Sequence, residues 1–308
     1  MVGQRCAGLR TPPHLRLDSP TANLKRMRRT VSLSPSPSRS DFALEVDQAD
    51  DQVNLARAAL LVAREEYGQL PVEPYLIRLD QMAEEVRDRL DNETAPLVVL
   101  RALLQTLFQE RDFRGNREAY YDPRNSFLSD VIDRELGVPL TLGMILLEVG
   151  WRLDLPLEGV NFPGHFLVRF RGEAFSLLID PFDKGTIRFE DQAQELLDRV
   201  YGGMVRVRPS FMKRAGRRDM IVRLLTNLKG VYVNVSDHER ALAAVERILV
   251  IHPTAAAEIR DRGTLLAQMG RTEEALEQLE WYLGYAPEAA DAGRIRQLVD
   301  ELKWKDGE

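Results

Sequence analysis

Four histidines punctuate the chain, at positions 14, 165, 238 and 252, and one stands in a pattern that can do chemistry. The segments Phe166–Phe170 and Phe175–Ile179 are short, aromatic and β-branched, and Arg171-Gly172-Glu173-Ala174 between them reads as a turn. A four-residue loop pairs Phe170 with Phe175, so that paired positions sum to 345 and His165 falls opposite Asp180. Directly opposed Cβ atoms lie about 4.5–5.5 Å apart. A carboxylate at that distance can orient an imidazole and hold its tautomer. The same register puts Phe166, Val168, Phe170, Phe175, Leu177 and Ile179 on one apolar face, which must be core. A His–Asp pair can equally be a structural pin for the hairpin. To catalyse, it needs a nucleophile, such as a Cys or Ser at a helix N-terminus, where the dipole lowers the pKa of a thiol. The helix that opens at Pro139 is the place to look. It offers Thr141, whose hydroxyl is a poor nucleophile and a good first-turn capping or packing group.

Other candidates are sparser. Arg124 and Asn125 precede the site helix, in the run Tyr120-Tyr121-Asp122-Pro123-Arg124-Asn125-Ser126. Two readings stand open for them: ordinary turn and cap residues, or binding residues that line the cleft of His165 and donate to a ligand carboxylate or carbonyl. His238-Glu239 begins like a zinc-protease motif, but the second His position is Leu242. His252 precedes Pro253 at a helix end, where a cation suits the dipole. One cysteine, Cys6, excludes a disulfide framework and a cysteine-rich zinc site. Neither a metal nor a cofactor is expected, and no GxxxxGK[ST] or GxGxxG stretch occurs.

The elements that must position these residues follow from periodicity. Apolar residues at helical spacing mark Asp47–Tyr67, Tyr75–Leu90 and, after Thr94 and Pro96, a third helix through Phe108. Phe127–Leu136 is a short helix stopped by Gly137, and Pro139–Leu153 is apolar on nearly all sides, hence buried. Strands follow at Leu157–Phe162, Phe166–Phe170 and Phe175–Ile179, then a helix over Phe189–Tyr201. In the last third a shift of 34 residues superposes Ala241 on Ala275, Leu242 on Leu276, Val245 on Leu279 and Pro253 on Pro287. That is the tetratricopeptide period, with units at about 222–255 and 256–289. Two units are fewer than the three or so that stand alone, so they must lean on the preceding domain or on the helix after Ala290.

Charge divides the chain. Residues 1–40 hold eight of its 42 Lys and Arg but one of its 48 Asp and Glu, which leaves 34 basic and 47 acidic residues beyond them, a net of −13. A body with that balance repels nucleic acid. The Ser/Pro-rich basic tail cannot offset its ordering entropy and is expected to be disordered. A flexible arm, a transit peptide and a start at Met27 are the three readings of it. No apolar run approaches the roughly 20 residues that cross a bilayer, and the N-terminus has no secretory h-region. A cytoplasmic protein without membrane or nucleic-acid partners is expected.

In order and in combination, the motifs Tyr120–Ser126, Gly137-Val138-Pro139-Leu140-Thr141-Leu142, Pro163-Gly164-His165-Phe166-Leu167-Val168 and Ile179-Asp180-Pro181-Phe182 resemble the bacterial SirB-type proteins of the transglutaminase-like superfamily. The resemblance spans roughly 42–290 and implies a papain-like core that places Cys, His and Asp for acyl transfer or hydrolysis. His165 and Asp180 match its His and Asp, while the Cys position falls near Pro139–Thr141 and holds no cysteine. The expected fold is α+β. A tail over 1–40 precedes a transglutaminase-like domain over 41–209, with a helical start and a small antiparallel sheet, and an all-α tetratricopeptide region over 210–308. The expected function is non-catalytic recognition of a peptide or protein through a degenerate cleft and the repeat groove. The alternative is a hydrolase or acyl transferase with His165 as base, Asp180 as orienter, and Thr141 or water as nucleophile.

Overall fold

A computed structural model describes residues 37–306 apart from Ala174. The expected disorder of the tail, and Cys6 and His14 within it, lie almost wholly outside the described residues. Residues 37–40 are inside them and begin a helix, α1 (Pro37–Val46). Its first turn carries Arg39, which bridges Glu65 and Glu246.

The helical start is α2 (Leu55–Tyr67), α3 (Val72–Leu90) and α4 (Pro96–Gln105), the last running into a π-helical turn over Thr106–Glu110. The expected helix over 47–67 is shorter at its N-terminus. Asn54 stops it there by accepting from the Arg57 N–H at 2.9 Å, the competition that Asn side chains offer to a continuing helix. A two-residue parallel ladder joins β1 (Arg114–Gly115) to β2 (Leu136–Gly137), on either side of α5 (Leu128–Arg134).

At the centre lies α6 (Pro139–Arg152), with every residue from Pro139 to Gly150 buried. A four-stranded antiparallel sheet covers it, in the order β3 (Leu157–Val160), β4 (Leu167–Arg171), β5 (Ser176–Asp180), β6 (Thr186–Arg188). Phe166 and Leu157 reach α6 because Gly143 and Gly150 leave room. A Cβ at Gly143 would sit 2.4 Å from the Phe166 ring, and one at Gly150 2.2 Å from Leu157. The opposite sheet face is also covered: Val160, Phe162, Leu167 and Leu178 pack with Leu196 and Leu197 of α7 (Ala193–Tyr201). β6 escapes a periodicity reading because it has only three residues.

The hairpin register differs from the expected one. Val168 pairs with Ile179 and Arg169 with Leu178, a sum of 347, so each strand partner is displaced by two. The Gly172 N–H bonds to the Phe175 carbonyl at 2.9 Å, which tightens the turn and starts the ladder one step later. A two-residue displacement preserves side-chain parity, so Phe166, Val168 and Ile179 remain buried on one face.

The last third is helical: α8 (Arg217–Asn234), α9 (His238–Ile251), α10 (Ala256–Gln268), α11 (Thr272–Tyr285) and a closing helix α12 (Ala292–Asp306). Ala241 and Ala275 are fully buried, as the close helix crossing of a repeat demands. The units lean both ways, on the core through α8 and on α12. No helix among the described residues is long and apolar enough to cross a membrane.

Candidate functional site

His165 stands two residues before the paired part of β4, in the turn Pro163-Gly164-His165. Gly164 has φ of +66°, and a Cβ there would meet Val200 at 2.7 Å, so the turn needs glycine's conformational freedom and its lack of bulk. Asp180 ends β5 and caps the 3₁₀ turn Pro181–Asp183. Its Oδ1 accepts the N–H groups of Phe182 (3.1 Å) and Asp183 (3.2 Å). The same oxygen lies 2.8 Å from His165 Nε2. The pair is nearly sealed, with side chains 12% and 4% exposed. It forms although the two residues are not register partners, because β4 begins after His165 and its ring reaches along the strand end. With Nε2 engaged, Nδ1 is the ring nitrogen left for a ligand or a proton.

Aromatic rings wall the pair. Phe182 stands edge-on to His165 at 6.1 Å, and Tyr120 edge-on to Phe182 at 5.9 Å. The Arg117 guanidinium lies 5.0 Å from the centre of the Phe182 ring. Burial raises the pKa of the Tyr120 hydroxyl, with the charge of Arg223 opposing it. Arg223 comes from α8 and donates to the His165 carbonyl at 2.6 Å and to the Phe162 carbonyl at 3.3 Å. The surroundings of the pair are therefore built from the sheet, the 116–125 loop and α8.

Thr141 does not face the cleft. It is 0% exposed, and its Oγ1 donates to the Asn125 carbonyl at 2.7 Å while accepting the Val138 N–H at 3.2 Å. Its one proton and its accessible lone pair are spent on backbone groups, which corrects the expectation of a threonine nucleophile. Asn125 is also 0% exposed. Its Nδ2 donates to the carbonyls of Ala119 (2.6 Å) and Tyr120 (3.2 Å), and its Oδ1 accepts from Asn116 Nδ2 (3.0 Å). It presents no group to a ligand; it shapes the loop that carries Tyr120. Arg124 is 57% exposed and turned onto Asp122, whose carboxyl it holds below its ordinary pKa, chiefly by that side-chain hydrogen bond. Neither residue lines the cleft as expected; the geometry gives them the turn-and-cap reading.

Sequence reasoning missed Arg223, Tyr201 and Phe182. Phe182 had a signal, its place two residues after Asp180. Arg223 had none, since a lone Arg beside the buried stripe of a repeat helix reads as solvated charge. Among the described residues, no group of three or more His, Cys, Asp or Glu is placed to hold a metal.

Comparison with known proteins fits this geometry. A family model described as transglutaminase-like superfamily matches residues 73–226, and a tetratricopeptide repeat model matches 228–300. A "UPF0162 protein" of Xylella fastidiosa is 36% identical over 255 residues, covering 82% of this chain and 91% of its own. One from Vibrio cholerae is 28% identical, covering 83% and 95%. "Protein SirB1" of Salmonella typhimurium is 30% identical over 234 residues, covering 75% and 84%. No solved structure matches the chain.

Proposed function

The chain belongs to the SirB1-type UPF0162 family of transglutaminase-like proteins with tetratricopeptide repeats, and from that premise we propose that it recognises a peptide or protein without transforming it. The observation that carries this reading is the state of Thr141. Where a transglutaminase-like nucleophile would stand, in the first turn of α6, the hydroxyl is bound to the Asn125 carbonyl and the Val138 N–H. The partner groups of such a nucleophile, His165 and Asp180, remain paired at 2.8 Å. A cleft that keeps its hydrogen-bonding groups and aromatic walls but has no side-chain nucleophile in place is suited to holding a peptide. The adjoining repeat helices are the customary scaffold for such recognition.

The second reading is hydrolysis by water, and the His165–Asp180 geometry favours it. An oriented imidazole with Nδ1 free could serve as general base for a water molecule.

The test uses the full chain and a random peptide library, with binding and peptide-bond hydrolysis measured on the same samples. Recognition predicts saturable capture of a defined set of peptides, no turnover, and weakened capture in a folded His165→Ala variant. Turnover by the wild type that His165→Ala abolishes would overturn the non-catalytic reading and install the water mechanism.

A further inference from the structure

The cleft contains a cation that the fold does not neutralise. Arg223 donates to the carbonyl oxygens of His165 (2.6 Å) and Phe162 (3.3 Å) and to Asn161 Oδ1 (3.3 Å). All three acceptors are uncharged. Other arginines held inside the fold meet carboxylates: Arg39 and Arg247 meet Glu65, Arg262 meets Glu246, and Arg169 meets Glu158 and Glu190. Among the described residues, no ion pair with a carboxylate accompanies these three hydrogen bonds of Arg223. Burial lowers its pKa, as it does for a charge drawn from water without a counter-charge. Keeping such a charge has a free-energy cost that a ligand anion would remove.

The surroundings say what kind of anion. The Tyr201 hydroxyl lies against the His165 turn, 3.3 Å from where a Cβ would sit on Gly164. Tyr120 shares the Phe182 ring with His165. The guanidinium at the His165 carbonyl, the Tyr201 hydroxyl at Gly164 and the Tyr120 ring against Phe182 thus border the turn that carries His165. A guanidinium has five N–H donors in a planar fork, and carbonyls from one turn take part of that fork. The remainder suits a planar, singly charged group bound edge to edge. A phosphate dianion would need more than this one half-buried cation. The adjoining rings of Phe182 and Tyr120 are aromatic, the chemistry that suits the apolar body of a peptide.

The geometry points to an anion subsite formed by Arg223, Tyr120 and Tyr201 beside His165, whose ligand is a peptide carboxylate, either a chain terminus or an Asp or Glu side chain. It rests on the reading of the cleft as a recognition site and supplies the chemistry recognised. The helix that supplies Arg223, α8, then ties the site to the repeats, since it continues past residue 226 into the repeat match.

The probes are N-acetylglycine for a chain terminus, the α-amide of N-acetylglutamic acid for a side chain, and N-acetylglycinamide as the uncharged control. Each is titrated into the full chain while the His165 ring resonances are followed by NMR. At least one carboxylate is expected to shift those resonances saturably and the control is not; which one does so identifies the source. Arg223→Gln, which retains a donor for the carbonyls, is expected to weaken the effect by about tenfold or more. Tyr120→Phe and Tyr201→Phe should each weaken it by roughly threefold. Carboxylates that behave as the control does overturn the subsite, whatever peptides the protein captures elsewhere. So does undiminished binding in a folded Arg223→Gln. Should that variant fail to fold, undiminished binding in both tyrosine variants overturns it. Peptide hydrolysis with carboxylate selectivity intact would instead overturn the recognition reading and leave the subsite standing.

Discussion

At the scale of single residues, the site separates groups that face a ligand from groups that hold the frame, and the two kinds predict different losses. Thr141 is frame. Thr141→Val leaves the Asn125 carbonyl and the Val138 N–H buried without their partner, which costs about 1–3 kcal/mol. Thr141→Ser restores the hydroxyl and should recover most of it. Urea denaturation of the two variants checks this; equal stability of wild type and valine variant would mean that water reaches the pair. Asp122 gives a pH signature. Its carboxyl is held below its ordinary value chiefly by the Arg124 side chain, against the opposing effect of burial. A depressed folded pKa contributes stability that is full above the unfolded value, near 4, and is lost as pH falls through the folded one. Asp122→Asn keeps a cap for the Arg124 N–H but not the charge. Its melting temperature should lie below the wild type's at neutral pH, with the gap closing as pH falls below about 4. Asp180 belongs to both classes, because the oxygen that orients His165 also caps the turn at Pro181. For that reason His165→Ala is the cleaner probe of the cleft.

At the scale of elements, the contact that sets the site is α6 against β4. Phe166, next to His165, seats its ring where Gly143 has no side chain. Gly143→Ala places a Cβ inside contact distance of that ring. In a close-packed core such overpacking costs about 1–3 kcal/mol, outweighing the roughly 1 kcal/mol by which alanine favours a helix over glycine. The net expectation is destabilisation with a displaced His165, read as a lower melting temperature together with weaker ligand response; an unchanged response at lower stability would separate the packing from the site. This contact also explains what the sequence made legible. Phe166 and Ile179 declared a buried hairpin face through alternation alone, whereas the His165–Asp180 pair was expected from a register the structure does not have and forms instead at the strand ends. The register was displaced by two residues because loop length, not alternation, sets it, and alternation is indifferent to an even displacement. Asn125 and Thr141 could not be assigned beforehand. Whether a polar side chain meets backbone or ligand depends on where the chain returns sixteen residues later. Arg223 was farther out of reach, since its place beside His165 depends on how α8 docks.

At the scale of the molecule, the repeat stack and the core are one folding problem. The two family models meet within α8, at residues 226 and 228, and the packing agrees. Met220, Ile221, Leu224 and Leu225 of α8 are buried, and the segment before it is sewn to the sheet edge by the Val160–Arg214 bridge and by the Ala215 N–H on the Gly159 carbonyl at 2.8 Å. The start of α8 is capped from outside its own segment. Asp50, in the turn after α1, accepts the N–H groups of Arg217 (3.1 Å) and Arg218 (2.9 Å), where a carboxylate satisfies orphan donors and complements the helix dipole. Arg217 then lies over Trp151 at 4.5 Å and donates to the Val53 carbonyl. Asp50→Ala removes the cap at a cost of about 0.5–2 kcal/mol. If α8 were merely the start of an appended array, that loss would fall on the repeats alone and split the unfolding transition. Because α8 carries both the docking face and Arg223, we expect one transition displaced as a whole. Amide exchange followed in α6 and α10 of the same sample is the measurement. Protection lost together in both helices supports a single cooperative unit, whereas α10 opening while α6 stays protected would show that the stack unfolds independently of the core.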